Sequence, residues 1–221
     1  MPSDLQIAGL QKLSTVDWPG KLAAVAFLQG CPWKCDYCHN STILDPALPG
    51  VIDWNEVVRF LAKRKGLLDG LVFSGGEALR QASVLPAAAT VKDMGFEVGL
   101  HTAGVYPNKF KALLDAGVID WVGLDIKALP EDYEALTGSS VGASRAAESL
   151  QILLEHPEVD YEVRLTLWKG GLEYARRVAA WSAEHGVKRF ALQALDGKAS
   201  WNRREAEEVL SDFDFEWIAV R

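Results

Sequence analysis

Short β-rich apolar runs alternate with longer helical stretches along most of the chain, and this alternation limits the fold more than any other feature of the sequence. Lys21–Leu28, Leu71–Phe73, Phe96–His101, Val118–Asp125, Tyr161–Trp168, Lys188–Gln193 and Phe215–Val220 read as strands. The helical patterns between them carry their own punctuation. Asp53-Trp54-Asn55-Glu56 has capping-box spacing ahead of a helix closed by Gly66. A second helix runs through Met94 to Gly95, and Pro107 opens a third that stops at Gly117. Ala143–His156 and Leu172–His185 follow, the latter ended by Gly186, and Asn202 is placed to cap the last helix. Alternation at this spacing predicts an α/β fold, a partial (β/α) barrel of largely parallel strands with helices outside. No linker, repeat or low-complexity segment divides residues 1–221, which read as a single domain.

In such a barrel the chemistry collects at the C-terminal ends of the strands. Unusual polar residues stand at those positions here: Cys31–Cys38, Ser74-Gly75-Gly76-Glu77, His101-Thr102 and Asp125-Ile126-Lys127. A formal charge of −7 argues against tight binding to a nucleic-acid backbone. No stretch approaches the roughly 20 apolar residues of a membrane span. Met1–Leu10 has neither the basic segment nor the apolar run of a signal peptide, so a cytoplasmic setting is expected.

The chain has 3 cysteines, and all lie between Cys31 and Cys38. A disulfide framework would spread an even number along the chain, whereas a clustered, odd set suits a metal in a reducing compartment. Cys31-x3-Cys35-x2-Cys38 places three thiolates on one loop, enough for three corners of a cubane 4Fe–4S cluster. With no fourth cysteine, one iron must find another ligand, and an external amino and carboxylate group can chelate there. Zinc held by the three cysteines and His39 is the competing reading. His39 directly follows Cys38, however, and adjacent side chains reach one tetrahedral centre poorly, so the spacing favours the cluster.

Two further elements are legible from the residues themselves. Gly75-Gly76 after a strand lets the backbone approach a ligand closely and expose carbonyls to an ammonium group, although a glycine pair alone is more often a plain turn. Asp125 and Lys127 share a strand face, either as a satisfied ion pair at the barrel rim or as a binding pair. Arg164 lies on the strand Tyr161–Trp168, where a structural salt bridge is an equal alternative.

Cys-x3-Cys-x2-Cys with the aromatic Tyr37 before its last cysteine resembles the radical S-adenosylmethionine (SAM) superfamily. The stretch Ser14-Thr15-Val16-Asp17-Trp18-Pro19-Gly20, with Gly30-Cys31 and Tyr37-Cys38-His39-Asn40, narrows the resemblance to activating enzymes of glycyl-radical enzymes. Within these it is most like the activating protein of anaerobic ribonucleoside-triphosphate reductase. The resemblance implies cofactor contacts by Tyr37, Ser74, Gly75, Gly76, Glu77, Thr102, Asp125, Lys127 and Arg164. The Gly-Gly-Glu element would take the amino group of SAM, and Asp125-x-Lys127 its methionine part, with the lysine suited to the carboxylate. Three departures stand out: His101-Thr102-Ala103-Gly104 replaces Asp-Thr-Asn-Gly, Ala78 replaces a proline, and no late histidine stands around Gln193–Asp196. Loss of that aspartate puts any cation site there in doubt. His101 is open to a proton-transfer role or to that of a hydrogen-bonded rim residue.

The implied reaction is reductive cleavage of SAM to methionine and a 5′-deoxyadenosyl radical, which takes hydrogen from a glycine α-carbon of the partner, with flavodoxin or ferredoxin as electron donor. Trp18, Trp33 and Trp54 would line a docking face for that partner or belong to the core. A radical SAM enzyme acting on a small molecule, such as a modified-base precursor, and a non-catalytic zinc module are the alternatives.

Overall fold

The computed structural model describes residues 4–168, 170–195 and 201–221. Its eight strands form one sheet in which order in space equals order in the chain. They are β1 (Ile7–Ser14), β2 (Ala23–Leu28), β3 (Gly70–Gly75), β4 (Glu97–Thr102), β5 (Trp121–Asp125), β6 (Asp160–Leu167), β7 (Arg189–Ala194) and β8 (Trp217–Val220). β1 runs antiparallel to β2, and every later neighbouring pair is parallel. Helices α1 (Trp54–Ala62), α2 (Val84–Asp93), α3 (Pro107–Asp115), α4 (Tyr133–Thr137), α5 (Gly142–Leu154), α6 (Gly171–Glu184) and α7 (Arg203–Leu210) occupy the crossovers. Each crossover advances one place in the same direction, so right-handed connections keep the helices on one face of the sheet. The other face becomes the interior of the expected radical-SAM-type partial barrel.

Strand alternation sorts the side chains between these faces. Leu71, Phe73, Val98, Leu100, Val122, Leu124, Val163 and Leu165 join the large core beneath the helices. The intervening residues Ala23, Val25, Val72 and Trp121 form a second, smaller core around Trp18. Trp18 rises from the β1–β2 loop into the sheet interior and stacks on Trp121 at 5.6 Å. Gly70 and Gly99 make room for it, since a Cβ at either would lie 3.0 Å from the indole.

Most of the predicted elements are present within a few residues, with instructive exceptions. β1 is absent from the expected elements, because its register shifts at both ends break strict alternation. The 118–125 strand starts only at Trp121. Asp53 caps α1 through the Asn55 N–H (2.8 Å) rather than that of Glu56, and α1 ends four residues before Gly66. Asn202 does cap α7, in a reciprocal box with Glu205. The docking option for tryptophan fails: Trp18, Trp33 and Trp54 are 4%, 2% and 4% exposed, because each ring fills a gap between elements. No helix among the described residues is long and apolar enough to cross a membrane.

Trp18→Ala removes one of the two tryptophans of the interior core and is expected to cost about 3–5 kcal/mol. Urea unfolding of the cluster-free protein checks this, as a lower midpoint at unchanged slope.

Candidate active site

β2 delivers the chain directly into the cysteine loop. The two legs of that loop are tied by Gly30 N–H to the Ile43 carbonyl (2.7 Å) and Cys31 N–H to that of Leu44 (3.0 Å). A tight turn joins Cys38 N–H to the Cys35 carbonyl at 3.0 Å. The three thiols are free and partly exposed. Burial pushes the Cys31 thiol up to about 12 and raises that of Cys35. Thiols so placed ionise when positive charge is brought to them, and iron or another metal supplies it.

Gly75 and Gly76 lock this loop to the sheet. Gly75 has a φ of +120°, and a Cβ there would fall 2.2 Å from the Leu28 nitrogen. At Gly76 it would fall 2.4 Å from the Gly30 carbonyl oxygen. With both side chains missing, Gly76 N–H donates to the Leu28 carbonyl (3.0 Å) and Glu77 N–H to that of Gly30 (2.9 Å). Asn40 Nδ2 completes the joint on the Gly75 carbonyl at 3.1 Å.

Glu77 turns away from the cavity. Its Oε1 accepts from Thr102 Oγ1 (2.8 Å) and Leu79 N–H (3.1 Å), and its Oε2 accepts from Ala103 N–H (3.0 Å). Burial raises its pKa, while the hydrogen bonds from Ala103 and Thr102 oppose that shift. The carboxylate is thus a brace between the ends of β3 and β4.

Opposite the cysteine loop stands a charged group. Asp125 and Arg164 are register partners on β5 and β6, and Arg164 Nε donates to Asp125 Oδ1 at 2.7 Å. Lys127 Nζ reaches Asp125 Oδ2 at 3.2 Å and lies 5.7 Å from the centre of the Tyr37 ring. Burial alone would raise the Asp125 carboxyl, but Arg164 and Lys127 outweigh it and hold it at about 2. Two cations against one anion leave a surplus positive charge facing the thiols. Tyr37 Oη is buried there beside Lys127, with no hydrogen-bond partner among the described residues.

His101 spans the interior. Its Nε2 lies 2.8 Å from the Asp17 carbonyl and its Nδ1 lies 3.2 Å from Ser74 Oγ. Burial, reinforced by Arg164, lowers its pKa to about 3. The neutral ring therefore donates from Nε2 to Asp17 and accepts from Ser74 at Nδ1. This is the hydrogen-bonded option of the sequence reading, and it pins the Trp18 loop beneath the site.

These groups surround one cavity of about 560 Å³. Cys31, Cys35, Cys38, Tyr37, Ser74, Gly75, Gly76, Thr102, Asp125, Lys127 and Arg164 all line it, as does His101. Glu77 does not. The sequence reading gave no site role to Asp17, Gln193, Arg203 or Arg221 on the same wall: Asp17 and Gln193 stood in stretches compared only for family likeness, and Arg203 and Arg221 follow no motif visible in one chain. Asp196, part of the late-histidine comparison, lies outside the described residues.

The family model described as the Radical SAM superfamily matches residues 25–193. The chain belongs to the radical SAM superfamily. Radical SAM enzymes use a 4Fe–4S cluster and S-adenosylmethionine, and the donors present fit both: a glycine cradle, surplus cations, a buried phenol and a loop whose three thiols line one cavity, although among the described residues they do not converge on a single metal ion. The chain is 34% identical over 132 residues to a putative glycyl-radical enzyme activating enzyme of Methanocaldococcus jannaschii, covering 58% of this chain and 52% of that protein. It is 32% identical over 139 residues to pyruvate formate-lyase-activating enzyme of Clostridium pasteurianum, covering 60% and 57%. The chain thus spans a little over half the length of these curated relatives. Among solved structures, SuiB of Streptococcus suis bound to S-adenosylmethionine superposes with a TM-score of 0.66 at 14% identity, over 86% of this chain and 45% of that one. QueE from Escherichia coli gives 0.57 at 17%, over 97% and 93%. At such identities the likeness is one of fold.

His101 gives this radical SAM domain a pH signature. Its folded pKa of about 3 lies below the roughly 6.5 of an unfolded histidine, so the unfolded chain binds the extra proton between those values. Stability is therefore lost as pH falls below about 6.5, by up to about 1.4 kcal/mol per pH unit from this group. In His101→Gln that component disappears. Urea unfolding of wild type and variant from pH 7 to 4.5 is expected to show their stability difference shrinking on acidification.

Proposed function

We propose that this chain is an activating enzyme for a glycyl-radical enzyme, with anaerobic ribonucleoside-triphosphate reductase as its partner. The observation that carries this is one cavity in which the three-thiol loop faces Lys127 and Arg164. Sequence similarity to two activating enzymes supports the reaction class, and the Ser14–Gly20 stretch supports the choice of reductase. Cys31, Cys35 and Cys38 hold three irons of a 4Fe–4S cluster. Carbonyls of Ser74, Gly75 and Gly76 take the ammonium of SAM, and the surplus charge of Lys127 and Arg164 takes its carboxylate. Asp125 keeps those two cations oriented, Thr102 and Tyr37 offer hydroxyls, and Glu77 holds the glycine turn from behind.

When bound, the cluster and SAM would supply one-electron reductive cleavage of a carbon–sulfur bond, releasing methionine and a 5′-deoxyadenosyl group able to take a hydrogen atom from the partner's glycine α-carbon. The chain's own residues bind, orient and exclude water. Reduced flavodoxin or ferredoxin, in the cytoplasm, is the proposed donor.

Anaerobic reconstitution with iron and sulfide is expected to give a dithionite-reduced cubane signal in electron paramagnetic resonance that shifts on adding SAM, with 5′-deoxyadenosine formed. Adding the reductase should transfer the unpaired spin to its glycine. Lys127→Met should weaken SAM binding about tenfold or more, the loss of a charge-assisted hydrogen bond. Single alanine variants at the three cysteines should lose the SAM-responsive signal. A colourless, folded, zinc-replete protein would sink the radical reading. SAM cleavage without transfer to any glycyl-radical enzyme would favour a small-molecule substrate instead.

A further inference from the structure

The backbone of Lys127 is gripped at both its N–H and its carbonyl. Its N–H donates to Tyr133 Oη at 3.0 Å, and its carbonyl accepts from Trp168 Nε1 at 3.2 Å. Lys127 lies beyond the end of β5 at Asp125, and the last backbone bond to β6 is made by Ile126 N–H to the Arg164 carbonyl, at 3.0 Å. Past that point the two aromatic side chains do what the sheet ladder no longer does.

Both rings also rest on the cysteine loop. Tyr133 meets Trp33 edge-on at 5.9 Å, and Trp168 tilts against Tyr37 at 6.3 Å. Trp33 and Tyr37 stand two residues to either side of Cys35. α4, which carries Tyr133, holds the loop at a further point, through Lys34 N–H to the Thr137 carbonyl at 3.2 Å. α5 opens with Gly142, where a Cβ would lie 3.1 Å from the Tyr133 ring and 3.5 Å from Trp33. Neither Tyr133 nor Trp168 belongs to the cavity wall.

We propose that Tyr133 and Trp168 are positioning residues, a pair of aromatic clamps that index the Lys127 ammonium to the cysteine loop. The inference rests on the SAM-binding reading given above. A lysine side chain is a flexible four-carbon stem, so its tip is placed only as well as its backbone and its partners allow. Its side-chain partner Asp125 holds it at a long 3.2 Å and is shared with Arg164. The clamps refer the backbone of Lys127 to the loop that carries the thiols instead of to the sheet. A shift of that loop therefore carries the ammonium with it, and the spacing between the open iron and the carboxylate-binding cation is kept.

Tyr133→Phe and Trp168→Phe keep a ring at each place and delete one hydrogen bond. In reconstituted holoenzyme each is expected to raise the Kd for SAM about tenfold and to diminish the cofactor-dependent shift of the resonance signal. Iron content and the signal without SAM should stay as in wild type. In the cluster-free protein, hydrogen exchange at the Lys127 amide should quicken in Tyr133→Phe. Tyr174→Phe is the control, since it deletes a hydroxyl in the same segment that accepts the Leu129 N–H at 3.1 Å and donates to Asp132 Oδ2 at 2.8 Å. It should lower stability at least as much while leaving the Kd within about twofold. Should Tyr133→Phe fail to fold, Trp168→Phe carries the test. Unchanged SAM affinity in the clamp variants, or an equal loss in Tyr174→Phe, overturns the clamps. A wild-type cluster indifferent to SAM would overturn the underlying reading, and the clamps with it.

Discussion

The contact on which the rest of the site depends is backbone against backbone, where Gly75 and Gly76 lie on Phe27, Leu28 and Gly30. Neighbouring parallel strands ordinarily separate at their ends into independent loops. Here β2 and β3 stay joined past the end of the ladder, through Gly76 N–H to Leu28 and Glu77 N–H to Gly30. That close approach is open only to glycine, because any Cβ would sit inside the neighbouring backbone. The cysteine loop consequently starts from a fixed base. The buried Glu77 then ties the same turn forward to Thr102 at the end of β4 and Ala103 just beyond it. Three successive strand ends become one rigid rim, as a site that must hold a cluster beside a cofactor requires.

Charge is distributed across the sheet with a matching logic. The helix-covered face is apolar, while the interior face of β5–β8 carries Asp125, Glu162 and Arg164, with Arg221 just beyond. Glu162 is 1% exposed and takes both terminal nitrogens of Arg221, one of them at 2.9 Å. Buried ion pairs of this kind add little net stability, since desolvation offsets most of their attraction. Asp125, Arg164 and Arg221 also line the cavity, so these pairs order its charged wall while the other face of the sheet is packed with Leu, Val and Phe. The pairing is also unequal. Glu162 is matched by one guanidinium, whereas Asp125 is shared by two cations, and the unmatched charge is displayed beside the thiols.

How much of this was legible in the sequence follows from the physics of each element. β2 to β8 read as apolar runs because strands buried on both faces are hydrophobic almost throughout. The thiols were legible because their residue type and spacing carry their chemistry, whereas the glycine pair and Asp125-x-Lys127 stood out only by their places after strands and took their cofactor roles from the family resemblance. β1 was not, since an edge strand with an interrupted register has no clean period. α4 spans only Tyr133–Thr137, too short to show a helical repeat, so the aromatic contacts it brings to the loop were invisible. Glu77 belonged to a motif whose backbone faces the cavity while its side chain does not, a distinction that only coordinates make. Tryptophan was ambiguous for a similar reason: Trp18, Trp33 and Trp54 are each next to polar residues in the sequence yet buried in the structure.

The Trp18 loop shows how a segment far from the cysteines becomes part of their site. Trp18 closes the interior from below, against the open positions of Gly70 and Gly99. That plug lifts the Asp17 carbonyl to within 2.8 Å of His101, whose other nitrogen holds Ser74 beside the glycine pair. A neutral histidine suits this span because it presents one donor and one acceptor at opposite edges of a rigid ring. An aspartate at the same position would be acceptor-only, and would face the Asp17 carbonyl without a proton to share. The departure from Asp-Thr-Asn-Gly at residue 101 is therefore matched by the loop below it. Floor loop and histidine form one arrangement, in which the interior hydrophobic core fixes the height of the cavity floor.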